Sequence, residues 1–234
     1  MTDRAGELAA NLARVRGRIA AAAGAASRDP DRITLVAVTK TYPASDVVEL
    51  ARLGVADFGE NRDQEAAGKA AEVERRGVRV RWHFVGRLQR NKCHSVVRYA
   101  DLVHSVDRVR LATALGAAAA AHRDRPLEVL IQLSVDGDPQ RGGAVPEQLG
   151  PVADAVAAEP ALRLRGVMAI APRSWPPDRA FARLAELAEQ LRADHPAATV
   201  ISAGMSGDLP VAVQHGATHL RIGTDLLGTR APLG

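Results

Sequence analysis

The chain has 234 residues, 47% of them hydrophobic but only 3% aromatic, with a formal charge of +4 and one cysteine, Cys93. Its core must come from Ala, Val, Leu and Ile, and a lone cysteine excludes an internal disulfide or a cysteine-cluster metal site, so a reducing, cytoplasmic setting is the expectation. Met1–Ala10 carries Asp3, Arg4 and Glu7 with no apolar leader, and no apolar run reaches membrane-spanning length, so no membrane partner is expected.

In chain order, Asp3–Ala23 places Leu8, Leu12, Val15 and Ile19 at helical spacing, which predicts an amphipathic helix. Ile33–Pro43 then opens as a β-branched apolar run, the pattern of a strand buried on both faces, and delivers Lys40 at its end. Ser45–Leu53 reads as a helix with Ser45 as N-cap and Gly54 as stop. The rhythm repeats: strand Val55–Phe58, helix Arg62–Arg76; strand Val78–Val85, helix Arg90–Arg98; strand Leu102–Ser105, helix Val109–His122. Strand Leu127–Val135 precedes a polar loop and a helix from Pro146 to Ala158. Strand Leu164–Ile170 leads to helix Asp178–Ala193, strand Thr199–Ala203 to helix Leu209–His215, and strand Thr218–Ile222 to a short helical turn before Gly228. Eight strands alternating with helices imply parallel pairing, and at this length a closed (β/α)₈ TIM barrel with an extra N-terminal helix, one α/β domain over residues 1–234.

In such a barrel the chemistry sits at the C-terminal strand ends. Those ends carry Lys40, Glu60, Asn61, His83, His104, Ser105, Ser202, Ser206, Arg221, Gly223 and Thr224. Lys40 alone has an ordinary account, a side chain reaching solvent or pairing with a carboxylate, and the segment by itself favours it. The sharper account is a Schiff-base lysine, because partial desolvation at a barrel mouth favours the neutral, nucleophilic amine. Gly204–Gly207 and Arg221–Thr224 combine glycine with hydroxyls after the last two strands, where this fold binds phosphate; ordinary capped turns look the same. A lysine facing an anion pocket suggests pyridoxal 5′-phosphate, with its phosphate at Ser206, Gly223 and Thr224. Arg221, if it faces the pyridine nitrogen, would keep it unprotonated. His83 either lines that site or is a hydrogen-bonded core histidine.

LVAVTKTYP around Lys40, FGENRDQE at Phe58–Glu65, WHFVGRLQRNK at Trp82–Lys92, HSVD at His104–Asp107, GVMAIAP at Gly166–Pro172, SAGMSGDL at Ser202–Leu209 and RIGTDLLG at Arg221–Gly228 occur in one order. With these motifs the sequence resembles the pyridoxal phosphate homeostasis protein family over nearly its whole length. The resemblance implies the barrel of fold-type III pyridoxal phosphate (vitamin B6) proteins, Lys40 as the Schiff-base lysine, and Asn61, Met205, Ser206, Arg221, Gly223 and Thr224 around the cofactor. Ala203 stands where the family often has Met, which bears on local packing.

Two functions compete on the sequence. One is a carrier that holds pyridoxal phosphate and releases it to apoenzymes. The other is an amino-acid racemase, which needs a second proton carrier opposite the lysine. Related racemases take that group, a tyrosine, from an added C-terminal β domain; here the sequence ends soon after the eighth strand, and Tyr42 and Tyr99 are not placed for the task. An open mouth also favours exchange over carbanion chemistry. The expectation is therefore cofactor homeostasis without turnover, in a monomer or weak dimer. The pI of 9.8 does not argue for nucleic acid: Arg75 and Arg76 alternate with Glu72 and Glu74 as on a solvated helix, and no recognition motif or stacking platform is present.

Overall fold

The computed structural model describes residues 4–228. Eight parallel strands close into a barrel in sequence order: β1 (Thr34–Val38), β2 (Asp57–Glu60), β3 (Arg81–Phe84), β4 (Leu102–Val106), β5 (Leu127–Leu133), β6 (Leu162–Ala169), β7 (Val200–Ser202) and β8 (His219–Ile222). Closure is made at Val36, which pairs with Asp57 on one side and Arg221 on the other. Around them run α1 (Arg4–Ala25), α2 (Ala44–Arg52), α3 (Asp63–Arg75), α4 (Cys93–Tyr99), α5 (Val109–His122), α6 (Leu149–Ala157), α7 (Pro177–Asp194), α8 (Leu209–Gln214) and α9 (Thr224–Leu227). This is the TIM barrel with an added leading helix that the alternation predicts, and α5 has the predicted bounds.

Several edges differ for physical reasons. Asp3, the predicted start of the first helix, lies outside the described residues. Ser45 is not an N-cap: Pro43 is, at φ −72° and ψ 161°, because its ring fixes the entry geometry one residue before the helix. The predicted helices at Arg90 and Pro146 each begin with a 3₁₀ turn, Arg90–Lys92 and Pro146–Gln148, before continuing as α4 and α6. The predicted strand Val55–Phe58 sits two residues later, as β2, and Val78–Val85 shortens to β3. Only Asp57–Glu60 and Arg81–Phe84 find ladder partners on each other.

Side chains alternate along a strand, and the two faces have separate cores. Val103, Val129, Ile131, Val167 and Ile201 join the large apolar layer under the helices. Their neighbours Leu102, Leu130, Met168 and Val200 form a small apolar cluster of their own inside the barrel. The inward positions further along carry buried polar groups, His83, His104, Ser202 and Arg221.

Helix α1 ties the two ends of the barrel sequence together. It buries Leu8, Leu12, Val15 and Ile19, as predicted. Its polar residues reach the last turn of the chain: Asn11 Nδ2 donates to Leu226 O at 3.0 Å, and Arg4 Nη2 to Leu227 O at 3.1 Å.

Candidate functional site

The C-terminal strand ends enclose a cavity of ≈ 500 Å³, within the range of small-ligand pockets. Its wall follows from strand alternation: Val38 and Lys40 come from one face of the β1 segment, Arg221 and Gly223 from one face of β8. Lys40, Asn61, Met205, Ser206, Arg221, Gly223 and Thr224 all line it; His83 does not.

Lys40 follows β1 and is half-buried. Its amine has neither a hydrogen bond nor an ion pair among the described residues. Asn61 follows β2, and its Oδ1 is buried with no hydrogen-bond partner among the described residues. Gly86 explains how Asn61 sits so close to the end of β3, since a Cβ there would lie 2.1 Å from the Asn61 carbonyl oxygen. Gly204 turns the chain after β7 with φ +88°, and a Cβ would meet Ala212 at 2.6 Å; only glycine fits both demands. That turn presents Met205 and Ser206 to the cavity, and Met205 stays 39% exposed beside Ile170. Arg18 of α1 braces the two loops that follow β7 and β8. It donates to Ser206 O at 2.8 Å and pairs with the Asp225 carboxylate, while Asp225 N–H donates to Ser206 Oγ at 3.3 Å.

Arg221 is buried and has no carboxylate partner among the described residues. Its Nη1 donates to Ser202 Oγ at 2.6 Å and its Nη2 to Ala169 O at 2.8 Å. Burial pushes its pKa down to about 10, which leaves it a cation at neutral pH. Behind it a polar chain runs along the barrel axis. Ser202 Oγ meets His104 Nδ1 at 2.9 Å, His104 Nε2 meets His83 Nδ1 at 2.9 Å, and His83 Nε2 meets Asp57 Oδ1 at 2.8 Å. Burial holds His104 well below the ordinary imidazole range, with His83 and Arg221 adding to the effect. Burial opposes ionisation of Asp57, yet its hydrogen bond to His83 and the charges of His83 and Arg81 outweigh this and lower its pKa. Arg221 donates to Ser202, and the ring nitrogens of His104 and His83 carry the chain on to Asp57, so each of these side chains has a polar partner. His83 is thus a hydrogen-bonded core histidine, the second of the two readings its sequence position allowed.

Glu60 and Thr39 sit one residue before Asn61 and Lys40, facing away from the cavity. Thr39 Oγ1 donates to Glu60 Oε1 at 2.7 Å. Tyr42 Oη donates to Gly228 O at 2.8 Å, and Tyr99 Oη to Asp63 Oδ1 at 3.4 Å; neither tyrosine lines the cavity. Arg141 does line it. It clamps Asp136 at 2.9 Å and Ile170 O at 3.0 Å, which folds the loop after β5 against the end of β6. Gln132 also lines the cavity and was missed by sequence reasoning; its signal is a polar residue that, with Glu128, interrupts the apolar run of β5. No helix among the described residues is long and apolar enough to cross a membrane, and no group of three or more His, Cys, Asp or Glu among them could hold a metal ion.

The fold and cavity define a class first. Residues 7–231 match the family model described as alanine racemase, N-terminal domain. The alanine racemase of Corynebacterium glutamicum superposes with a TM-score of 0.73 at 17% identity, over 98% of this chain and 62% of that one, a likeness of fold alone. The particular relatives are nearer. A Mycobacterium tuberculosis protein named pyridoxal phosphate homeostasis protein is 46% identical, over 97% of this chain and 95% of its own. The structure of PipY from Synechococcus elongatus with PLP bound superposes with a TM-score of 0.82 at 34% identity, over 94% of this chain and all of that one. This chain belongs to the pyridoxal phosphate homeostasis protein family.

Proposed function

We propose that this chain binds pyridoxal 5′-phosphate covalently through Lys40, and releases it to apoenzymes as part of cytoplasmic cofactor homeostasis. The observation that carries this reading is that one cavity is lined both by an amine with no hydrogen bond or ion pair among the described residues and by the braced Gly-Ser and Gly-Thr turns of β7 and β8. The family of the chain and the PLP-bound relative support it.

The residues fit the cofactor. The cavity volume suits it, and the buried Asn61 Oδ1 is an acceptor with nothing to accept from, a condition that costs free energy until a donor arrives. When bound, the cofactor supplies an aldehyde that condenses with a primary amine. Lys40 is the attachment point. Ser206, Gly223 and Thr224 would hold the phosphate: Thr224 opens α9, where backbone N–H groups lack helical partners, and Arg18 fixes the spacing of the two turns. Arg221 would place its cation at the ring and, kept charged, disfavour a second positive charge there. The axial chain holds Arg221 in place through neutral acceptors, Ser202 Oγ and Ala169 O, and the carboxylate that favours its charge is the nearby Asp208.

The carrier reading is preferred to a racemase because both described tyrosines are engaged elsewhere and the mouth is open to water. The test is spectroscopic. Purified protein with pyridoxal 5′-phosphate should turn yellow, and borohydride should fix the label on Lys40. Robust racemisation of common amino acids would overturn the carrier reading. Label on any other lysine would overturn the site.

A further inference from the structure

We infer that Lys69 and Glu65, both on α3, are positioning residues for Lys40; the inference rests on Lys40 being the attachment point. Lys69 is a lysine whose side chain is 5% exposed, in a class of residue almost never buried without a reason. Its amine uses all three donors: Thr39 O at 2.8 Å, Glu60 Oε1 at 2.6 Å and Glu65 Oε1 at 3.0 Å. Glu65 Oε1 in turn accepts the backbone N–H of Thr41. The peptide groups on either side of Lys40 are therefore both gripped by α3, the preceding one at its carbonyl by Lys69 and the following one at its N–H by Glu65.

The grip has something to hold. β1 ends at Val38, and the bond from Thr39 N to Gly59 O at 3.0 Å is the last that ties this strand end to β2. Thr41 then takes φ +69°, a left-handed conformation that a β-branched residue resists. Since the Lys40 amine has no partner of its own, only its backbone aims it. A purely stabilising role explains this arrangement poorly, because well-packed apolar residues usually serve a buried site as well as an ion pair does.

The experiment uses the full chain and two phosphorylated probes. Pyridoxal 5′-phosphate reports covalent attachment, through the rise of visible absorbance and the borohydride-fixed peptide. Pyridoxine 5′-phosphate has an alcohol in place of the aldehyde and reports only non-covalent binding. The variant is Lys69→Met with Glu60→Gln, so that no bare carboxylate is left buried. Glu65→Ala, at a 27% exposed side chain, is the milder second variant should the first fail to fold. Attachment at Lys40 should slow about tenfold or more in the first and severalfold in the second, with the Kd for pyridoxine 5′-phosphate held within about twofold of wild type. An unchanged attachment rate overturns the proposal, and so does an equal loss of pyridoxine 5′-phosphate affinity, which would mean a collapsed cavity. If borohydride leaves Lys40 unlabelled in the wild-type chain, the functional reading falls and takes the proposal with it; label on Lys40 with unchanged variant rates overturns the proposal alone.

Discussion

The mouth of the barrel and its axis treat polar groups in opposite ways. Along the axis, Arg221, Ser202, His104, His83 and Asp57 satisfy one another end to end. At the mouth, the Lys40 amine and Asn61 Oδ1 have no partner among the described residues. Buried polar groups are costly unless paired; Asn61 Oδ1 shares that state with Glu60 Oε2 and Ser105 Oγ, and it is the cavity lined by Asn61 and Lys40 that sets the mouth apart from the self-satisfied axis. The same residue types do different work according to whether the protein itself completes them.

The largest expected effect falls at the mouth. Lys40→Ala should abolish the visible band and the borohydride label while shifting the unfolding free energy by no more than about 0.5 kcal/mol, since its amine makes no hydrogen bond or ion pair among the described residues. A large loss of stability would erase the distinction between the two regions.

Next comes the axis. His104→Leu should cost about 2–4 kcal/mol, because His83 Nδ1 loses its partner and Ser202 keeps only Arg221, all in the buried interior; urea titration of the cofactor-free protein measures it. A neutral outcome would mean the chain is not structural.

The histidines of the barrel interior should also make the protein acid-sensitive, both His104 of the axis and His219, whose ring lies 6.0 Å from that of His83. Burial, followed by the nearby His83, lowers His219 from 6.5 to about 4, and burial lowers His104 as well. Both bind protons more readily in the unfolded chain, so stability is present above about pH 6.5 and is lost as the pH falls from there. For His219 the loss approaches about 3 kcal/mol by pH 4. Glu60, raised by burial, acts in the opposite sense, so the clean measurement is the difference between wild type and His219→Gln. The variant should show the flatter pH dependence, and parallel curves would refute the assignment.

The smallest effect is again at the mouth. Ser206→Ala should weaken pyridoxal 5′-phosphate binding by about 1–2 kcal/mol, with stability little changed; titration of the visible band gives the ratio.

Much of this was legible before any coordinates. Strand–helix alternation defined the barrel, and glycine with hydroxyls after the last two strands marked one wall of the cavity that Lys40 also lines. Edges went astray where proline or a 3₁₀ turn, not apolar spacing, starts a helix, as at Pro43 and Pro146. The axial chain was not legible because it joins positions 57, 83, 104, 202 and 221, which only barrel closure brings together. Its members show in the sequence as isolated polar residues in apolar strands. Lys69 was hidden for a similar reason: among charged neighbours on an amphipathic helix, nothing separates a lysine turned inward from one in water.

The reach of α1 has a consequence for biosynthesis. Arg18 braces Ser206, 188 residues further on, and Asn11 caps Leu226, 215 residues further on. As the ribosome releases the chain from its N-terminus, this first helix can meet α2 early, through Arg4 with Asp46 and Arg16 with the Leu53 and Gly54 carbonyls, but its contacts with Ser206 and Leu226 span most of the chain and form late. The rim formed by the turns after β7 and β8 therefore matures last, so a product lacking the eighth strand would have an incomplete cavity.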